Sequence, residues 1–226
     1  MNRRIHILGC GNFGRRALEY YAGQPEGYEI ILVDSDENNL EQALNHFSQK
    51  AVACQVIRCD AEVYLAARLE ERPEPGRDWI IPTVPFHLAA AAASRVLERP
   101  ILPWPELPDL PNLFFVGERH EVCSSLADFL CPADCPQPRT HCYHTGQPRD
   151  PSLLRLLARL DYRLDGRKLL SLLLASSQVA PGLGGFPLHR LYRLLGYIRE
   201  HHPEALLLST ACRCHGVTSI LGPAGA

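Results

Sequence analysis

Short apolar runs alternate with amphipathic stretches through the first hundred residues. Ile5-His-Ile-Leu8 reads as a buried strand that stops at Gly9. A polar amphipathic stretch follows, and Tyr28-Glu-Ile-Ile-Leu-Val-Asp34 reads as a second strand. Leu40, Leu44 and Phe47 recur at helical spacing. Ala51 to Cys59 reads as a third strand, closed by Asp60-Ala61. Asp78 to Val84 reads as a fourth, with Pro82 marking its end as irregular or at an edge. Pro85 suits the first turn of the next helix. That helix carries the small-residue run Ala89 to Ala93, which allows close approach to a sheet. Strand-then-helix order implies an α/β protein with a parallel, doubly wound sheet over residues 1–98.

Residues 99–112 change character. Pro100, Pro103, Pro105, Pro108 and Pro111 predict a stiff extended connector, and the domain boundary is placed there. Residues 113–226 then read as a second α/β unit. Leu113 to Gly117 is an apolar strand, Ser152 to Leu160 a short amphipathic helix, and Leu169 to Ala175 a strand. Pro181 to Phe186 is a glycine loop, Leu188 to Glu200 a helix, and Ala205 to Thr210 a strand. This βαβ-like extension either lengthens the first sheet or forms its own; the pattern leaves both open.

The turn after the first strand is Gly9-Cys-Gly11-Asn-Phe-Gly14. Its context makes it informative: a strand before it, a helix after it, and an acid ending the next strand. Gly9 permits the tight turn, Gly11 lets the backbone approach a pyrophosphate, and Gly14 lets helix and sheet pack closely. The helix N-terminus offers free N–H groups to phosphate. Asp34, 20 residues after Gly14, stands where a carboxylate holds an adenosine ribose. Its charge favours NAD over NADP, and neither Ser35 nor Asp36 supplies a cation for a 2′-phosphate. The pattern predicts a Rossmann-type dinucleotide unit with Gly9, Gly11, Asn12, Phe13, Gly14 and Asp34 at the cofactor.

Residues 1–98 resemble the TrkA-N type of NAD(P)-binding domain, found in regulators of potassium transport. The matching pieces are Gly9 to Gly14, Leu32-Val-Asp34 and Cys59-Asp60-Ala61. The resemblance adds Asp60 to the nucleotide-site residues and implies a nucleotide that regulates rather than reacts. It also implies self-association into a homo-oligomer. The second half departs from that family's usual second domain. Pro82-Thr-Val-Pro-Phe-His87, its Ala-rich helix and Arg99-Pro-Ile-Leu102 look like glucose-fructose oxidoreductase-like dehydrogenases. Their catalytic lysine has no counterpart near Pro103-Trp-Pro-Glu106, so their chemistry does not transfer.

Composition narrows the field. A formal net charge of −2 gives no electrostatic reason to expect nucleic acid. No apolar run approaches the ~20 residues that span a bilayer, and the first strand follows Met1 directly, so a cytoplasmic location is expected. Nine cysteines point to metal or redox chemistry. Cys131, Cys135 and Cys142 share a proline-stiffened loop, and Cys212, Cys214 and His215 share another. If the loops converge, they suit zinc, an iron–sulfur cluster or a thiol redox pair; the remaining alternative is structural cysteines that bind nothing. Arg213 is placed to favour a neighbouring thiolate. Cys10, Cys54 and Cys59 read as core residues.

Two further candidates follow from position. His87, after the fourth strand, is the candidate proton donor or acceptor for hydride transfer. Gly182 to Gly185, between a strand and a helix, is placed to cradle a second anion, or serves as a plain turn. The leading expectation is an NAD(H)-binding protein whose Cys/His metal site faces the cofactor, acting as oxidoreductase or sensor. The alternatives are a regulatory nucleotide-binding module without catalysis and a metal-stapled structural protein.

Overall fold

The computed structural model describes residues 3–24, 27–47, 54–132 and 135–225. Its first half runs β1 (Arg4–Leu8), α1 (Asn12–Ala22), β2 (Glu29–Asp34), α2 (Glu37–Phe47), β3 (Cys54–Arg58), α3 (Ala61–Glu70), β4 (Asp78–Pro82) and α4 (Leu88–Leu97). The expected start of β3 at residues 51–53 lies outside the described residues. The second half runs β5 (Ile101–Leu102), β6 (Phe114–Val116), β7 (Glu121–Ser125), α5 (Leu153–Ala158), β8 (Arg163–Leu164) and β9 (Arg167–Lys168). It continues through β10 (Leu170–Ala175), β11 (Ser177–Ala180), β12 (Leu183–Pro187), α6 (Leu188–His201), β13 (Leu206–Ala211) and β14 (His215–Leu221).

The first sheet has the order β11-β12-β4-β1-β2-β3. Strands β4, β1, β2 and β3 are parallel, with β1 at the point where the strand order reverses. Strand β12 joins β4 antiparallel, so the sheet is mixed rather than parallel throughout. The second sheet has the order β10-β13-β14-β7-β6. Strands β10 and β13 are parallel and flank α6 in sequence, which is the βαβ-like unit read from the pattern. The other pairings are antiparallel. The second half therefore does both things the pattern left open: its β11–β12 hairpin lengthens the first sheet, and the rest forms another.

Three apolar layers hold these sheets. One lies under α1 and α2, where Ala17, Leu18, Tyr21 and Leu40 meet Ile5, Ile7, Ile30 and Leu32. The second lies between the sheets. There Leu65, Ala89, Ala92, Leu191 and Leu195 from α3, α4 and α6 pack on Ile31, Val33 and Ile80 below and on Leu206, Leu208 and Leu221 above. The third covers the far side of the second sheet, with Leu153 and Leu157 of α5 on Val122, Leu207 and Ile220. The alanines of α4 serve a helix that must approach neighbours on two sides.

The proline-rich stretch is not a free connector. Ile101 and Leu102 pair with β14 where β7 stops. Trp104 is buried against Tyr162, ring centroids 4.9 Å apart, and donates from Nε1 to the His120 carbonyl. The Arg99 guanidinium, 6% exposed, donates to the carbonyls of Gly222 and Pro203 at 2.8 and 2.7 Å. Prolines suit a path that lies extended on a sheet without needing its own N–H donors.

Candidate functional site

The glycine turn is built as its spacing predicts. Gly9 has φ +103°, and a Cβ there would sit 3.0 Å from the Thr83 carbonyl. A Cβ on Gly14 would fall 2.0 Å from the Gly9 carbonyl oxygen, so only glycine lets α1 start this close to β1. A Cβ on Gly11 would meet nothing within 4 Å, because that side of the turn faces open space. No side chain caps α1, and its first turn carries no acid. The Asp34 carboxylate accepts the Cys10 N–H at 2.6 Å and the Asp36 N–H at 2.8 Å, which ties the end of β2 to the turn. Cys10 is buried, and burial beside Asp34 pushes its thiol up to about 12.

Beyond β1 the crevice is shaped by a feature the pattern did not reveal. Gly182 to Gly185 does not open a helix; it lies in the turn and second strand of the β11–β12 hairpin. Gly185 is needed there because a Cβ would come within 2.5 Å of Ile81 Cδ1. Strand β12 runs opposite to β4, so the hairpin tip stands at the C-terminal end of β4, next to the glycine turn. Arg16 Nη2 donates to the Pro181 carbonyl at 3.3 Å and clasps the tip to α1. A cavity of about 280 Å³ lies between Phe13, the segment Pro82 to Pro85 and the tip.

A groove of about 960 Å³ adjoins it, with Phe13 and Gly182 to Gly184 in both walls. Its far wall holds Cys131, Cys135, Cys212, Cys214 and His215. The two cysteine loops therefore converge. His215 stands between them, Nε2 at 3.5 Å from Cys131 Sγ and Nδ1 at 3.8 Å from Cys212 Sγ. Cys142 lies on the other side of Arg149, facing a second groove. Among the described residues no group of three or more His, Cys, Asp or Glu is drawn together as a metal ion requires.

The thiols fall into two kinds. Hydrogen bonding from Thr145 and Arg149, against some burial, brings Cys142 down to about 6. Burial would raise Cys212, but hydrogen bonds from His215 and nearby N–H groups outweigh it and bring it to about 7. Burial pushes Cys214 up to about 11 and also raises Cys131. The cation beside these thiols is Arg149, not Arg213, whose guanidinium donates to the Arg139 carbonyl. Arg149 is 8% exposed, bonds Cys214 Sγ and Cys142, and sits at the foot of a loop folded back through the His141–Pro148 bridge. A buried arginine so far from Cys214 in sequence leaves no local pattern to read.

Two predicted residues have other work. His87 is 1% exposed, its ring held between Ser219 Oγ and Thr210 Oγ1 at 2.9 Å each. Its backbone N–H donates to the Glu121 carboxyl, and burial lowers the ring's pKa to about 3. It is a neutral peg between α4 and the second sheet, with both ring nitrogens already bonded. Asp60 caps α3, its Oδ1 accepting from the N–H groups of Glu62 and Val63.

Fold and site together define a mixed α/β protein with a glycine-turn crevice opening into a cysteine-lined groove. The chain belongs to the AF_1314_C family, described as an uncharacterized protein C-terminal domain, which matches residues 78–222. That match begins at β4 and runs through β14, so it takes in β4, β11 and β12 of the first sheet. A relative from Archaeoglobus fulgidus, itself described as an uncharacterized protein, is 28% identical over 225 residues, covering 95% of this chain and 97% of the relative. A solved candidate methyltransferase from Thermoplasma acidophilum aligns at 15% identity with a TM-score of 0.30. That alignment covers 59% of this chain and 62%, under two thirds, of the other. No helix among the described residues is long and apolar enough to cross a membrane.

Proposed function

We propose that this protein binds NAD(H) on a Rossmann-type half-sheet and presents the bound dinucleotide to its cysteine cluster. The observation that carries the reading is one groove lined both by Phe13 and Arg16 of α1 and by Cys131, Cys135, Cys212 and Cys214. Order β3-β2-β1-β4 puts the crevice at a topological switch point, where open α/β sheets bind ligands. The free first turn of α1 suits a pyrophosphate, and Asp34 suits an adenosine ribose. The resemblance to TrkA-N domains points the same way.

Cys131, Cys135, Cys212 and Cys214 of the groove are enough donors for four-coordinate zinc or for an iron–sulfur cluster, once their side chains turn inward. Arg149 supports such an anionic sulfur set, since a buried guanidinium needs negative charge nearby. Zinc would supply structure or Lewis acidity there, and a cluster would supply electrons. The sequestered His87 favours a sensor over a hydride-transfer enzyme, because the group best placed in sequence for proton transfer is walled off.

The test joins calorimetry with elemental analysis on protein purified without oxygen. NADH is expected to bind more tightly than NADPH. Asp34→Ala is expected to weaken NADH at least tenfold, the loss of charge-assisted hydrogen bonds being worth about 1.5–3 kcal/mol. Absence of NADH binding at millimolar ligand sinks the nucleotide reading. Protein free of zinc, iron and sulfide would remove the metal and leave the thiols.

A further inference from the structure

The two cavities share a wall made from residues far apart in sequence. Phe13, Gly182, Leu183 and Gly184 line both the crevice at β4 and the cysteine groove. Phe13 is 54% exposed although aromatic, and Arg16 lies over its ring, 5.6 Å from guanidinium carbon to centroid. The same arginine clasps the hairpin tip through Pro181. The tip is thin: Gly182 has φ +72°, and a Cβ on Gly184 would crowd Ser176 Oγ at 2.9 Å. Leu183 of this wall is buried, so Phe13 is its one bulky, half-exposed side chain, set beside two glycines.

A dinucleotide held across a switch point has its adenosine half on the β2 side and its other half on the β4 side. Here the β4 side is this wall. We infer that Phe13 and the hairpin tip Gly182–Gly184 form the passage through which the half of the dinucleotide beyond the pyrophosphate reaches the cysteine groove. Phe13 supplies a flat apolar face for that half, held in place by Arg16. The glycine tip leaves room for the ligand to pass. The hairpin thus takes the place of a fifth parallel strand and sets what the far end of the ligand meets. This rests on the nucleotide reading above and adds the route and the residues that make it.

The experiment compares NADH with AMP, which carries the adenosine half alone, on the full chain and on Phe13→Ala. Phe13 is exposed enough for the variant to fold, which circular dichroism checks. Affinity is read by calorimetry, and reach is read as the rate of Cys212 alkylation by iodoacetamide, followed by mass spectrometry. The expected result is NADH weakened about three- to tenfold by Phe13→Ala, the range of one aromatic contact, with AMP unchanged. NADH, but not AMP, should slow Cys212 alkylation in the wild-type protein. Equal effects on both ligands, or no protection of Cys212 by bound NADH, would overturn the passage while leaving nucleotide binding intact. Wild-type protein that binds neither ligand would overturn both readings, and it is recognised before any variant is made.

Discussion

At the scale of single residues, the glycines of the turn separate folding from binding. Gly14→Ala places a methyl carbon 2.0 Å from a backbone carbonyl, which no side-chain rotation relieves. Stability should drop by about 3 kcal/mol or more, measured by urea unfolding, as the start of α1 is forced off β1. Gly11→Ala meets nothing within 4 Å, so its melting temperature should stay close to wild type while NADH binding falls. Equal behaviour of the two variants would mean the turn is only a packing device. His87 gives a second test. An unfolded histidine takes up a proton as pH falls through about 6.5, whereas the folded one stays neutral down to about 3. Its contribution is therefore complete above pH 6.5 and is lost as pH falls from there towards 3, at up to about 1.4 kcal/mol per pH unit. In His87→Gln that slope disappears, so the stability gap between wild type and variant should narrow between pH 7 and pH 5. Parallel pH profiles would show that His87 is not held neutral.

At the scale of elements, what the sequence made legible follows local physics. β1, α1, β2 and the fourth strand were readable because each carries its own period and stops at Gly9, Asp34 or Pro82. Helix α6 was expected at Leu188 to Glu200 and lies at Leu188–His201, since Leu188, Leu191, Leu195 and Ile198 mark one buried stripe. Helix α4 starts at Leu88 rather than at Pro85, because His87 turns inward to bond the second sheet before the helix begins. Strand β7 is short and polar, and β14 follows directly on the second cysteine loop, so neither stands out by composition. The hairpin was hidden for a different reason. Its glycines answer to Ile81 and Ser176 across the fold, not to their neighbours in sequence. The candidate site divided the same way. The glycine turn is local and was visible; the meeting of Cys131 with His215, and the place of Arg149, depend on tertiary closure.

At the scale of the whole molecule, the two halves share one interior. Helices α4 and α6 each bury side chains against both sheets, and β12 completes the edge of β4. Residues 1–98 alone would expose the face of α4 that meets Leu206, Leu208 and Leu221, together with the edge of β4 and the surface under α6. Each large aliphatic side chain left in water costs about 1.5–3 kcal/mol, and whole domains are stable by only about 5–15 kcal/mol. A fragment ending at residue 98 is therefore expected not to fold cooperatively, although it holds the entire glycine turn and Asp34. The intact chain should unfold in one transition, with calorimetric and van't Hoff enthalpies in agreement. Two separated transitions, or a well-folded fragment that binds NADH, would support the two-domain division at the proline-rich stretch. Such a division would also uncouple the crevice from the cysteines. The shared layer predicts the opposite: a ligand seated at the glycine turn stabilises the second sheet as well, and nucleotide binding raises the temperature at which both halves melt together.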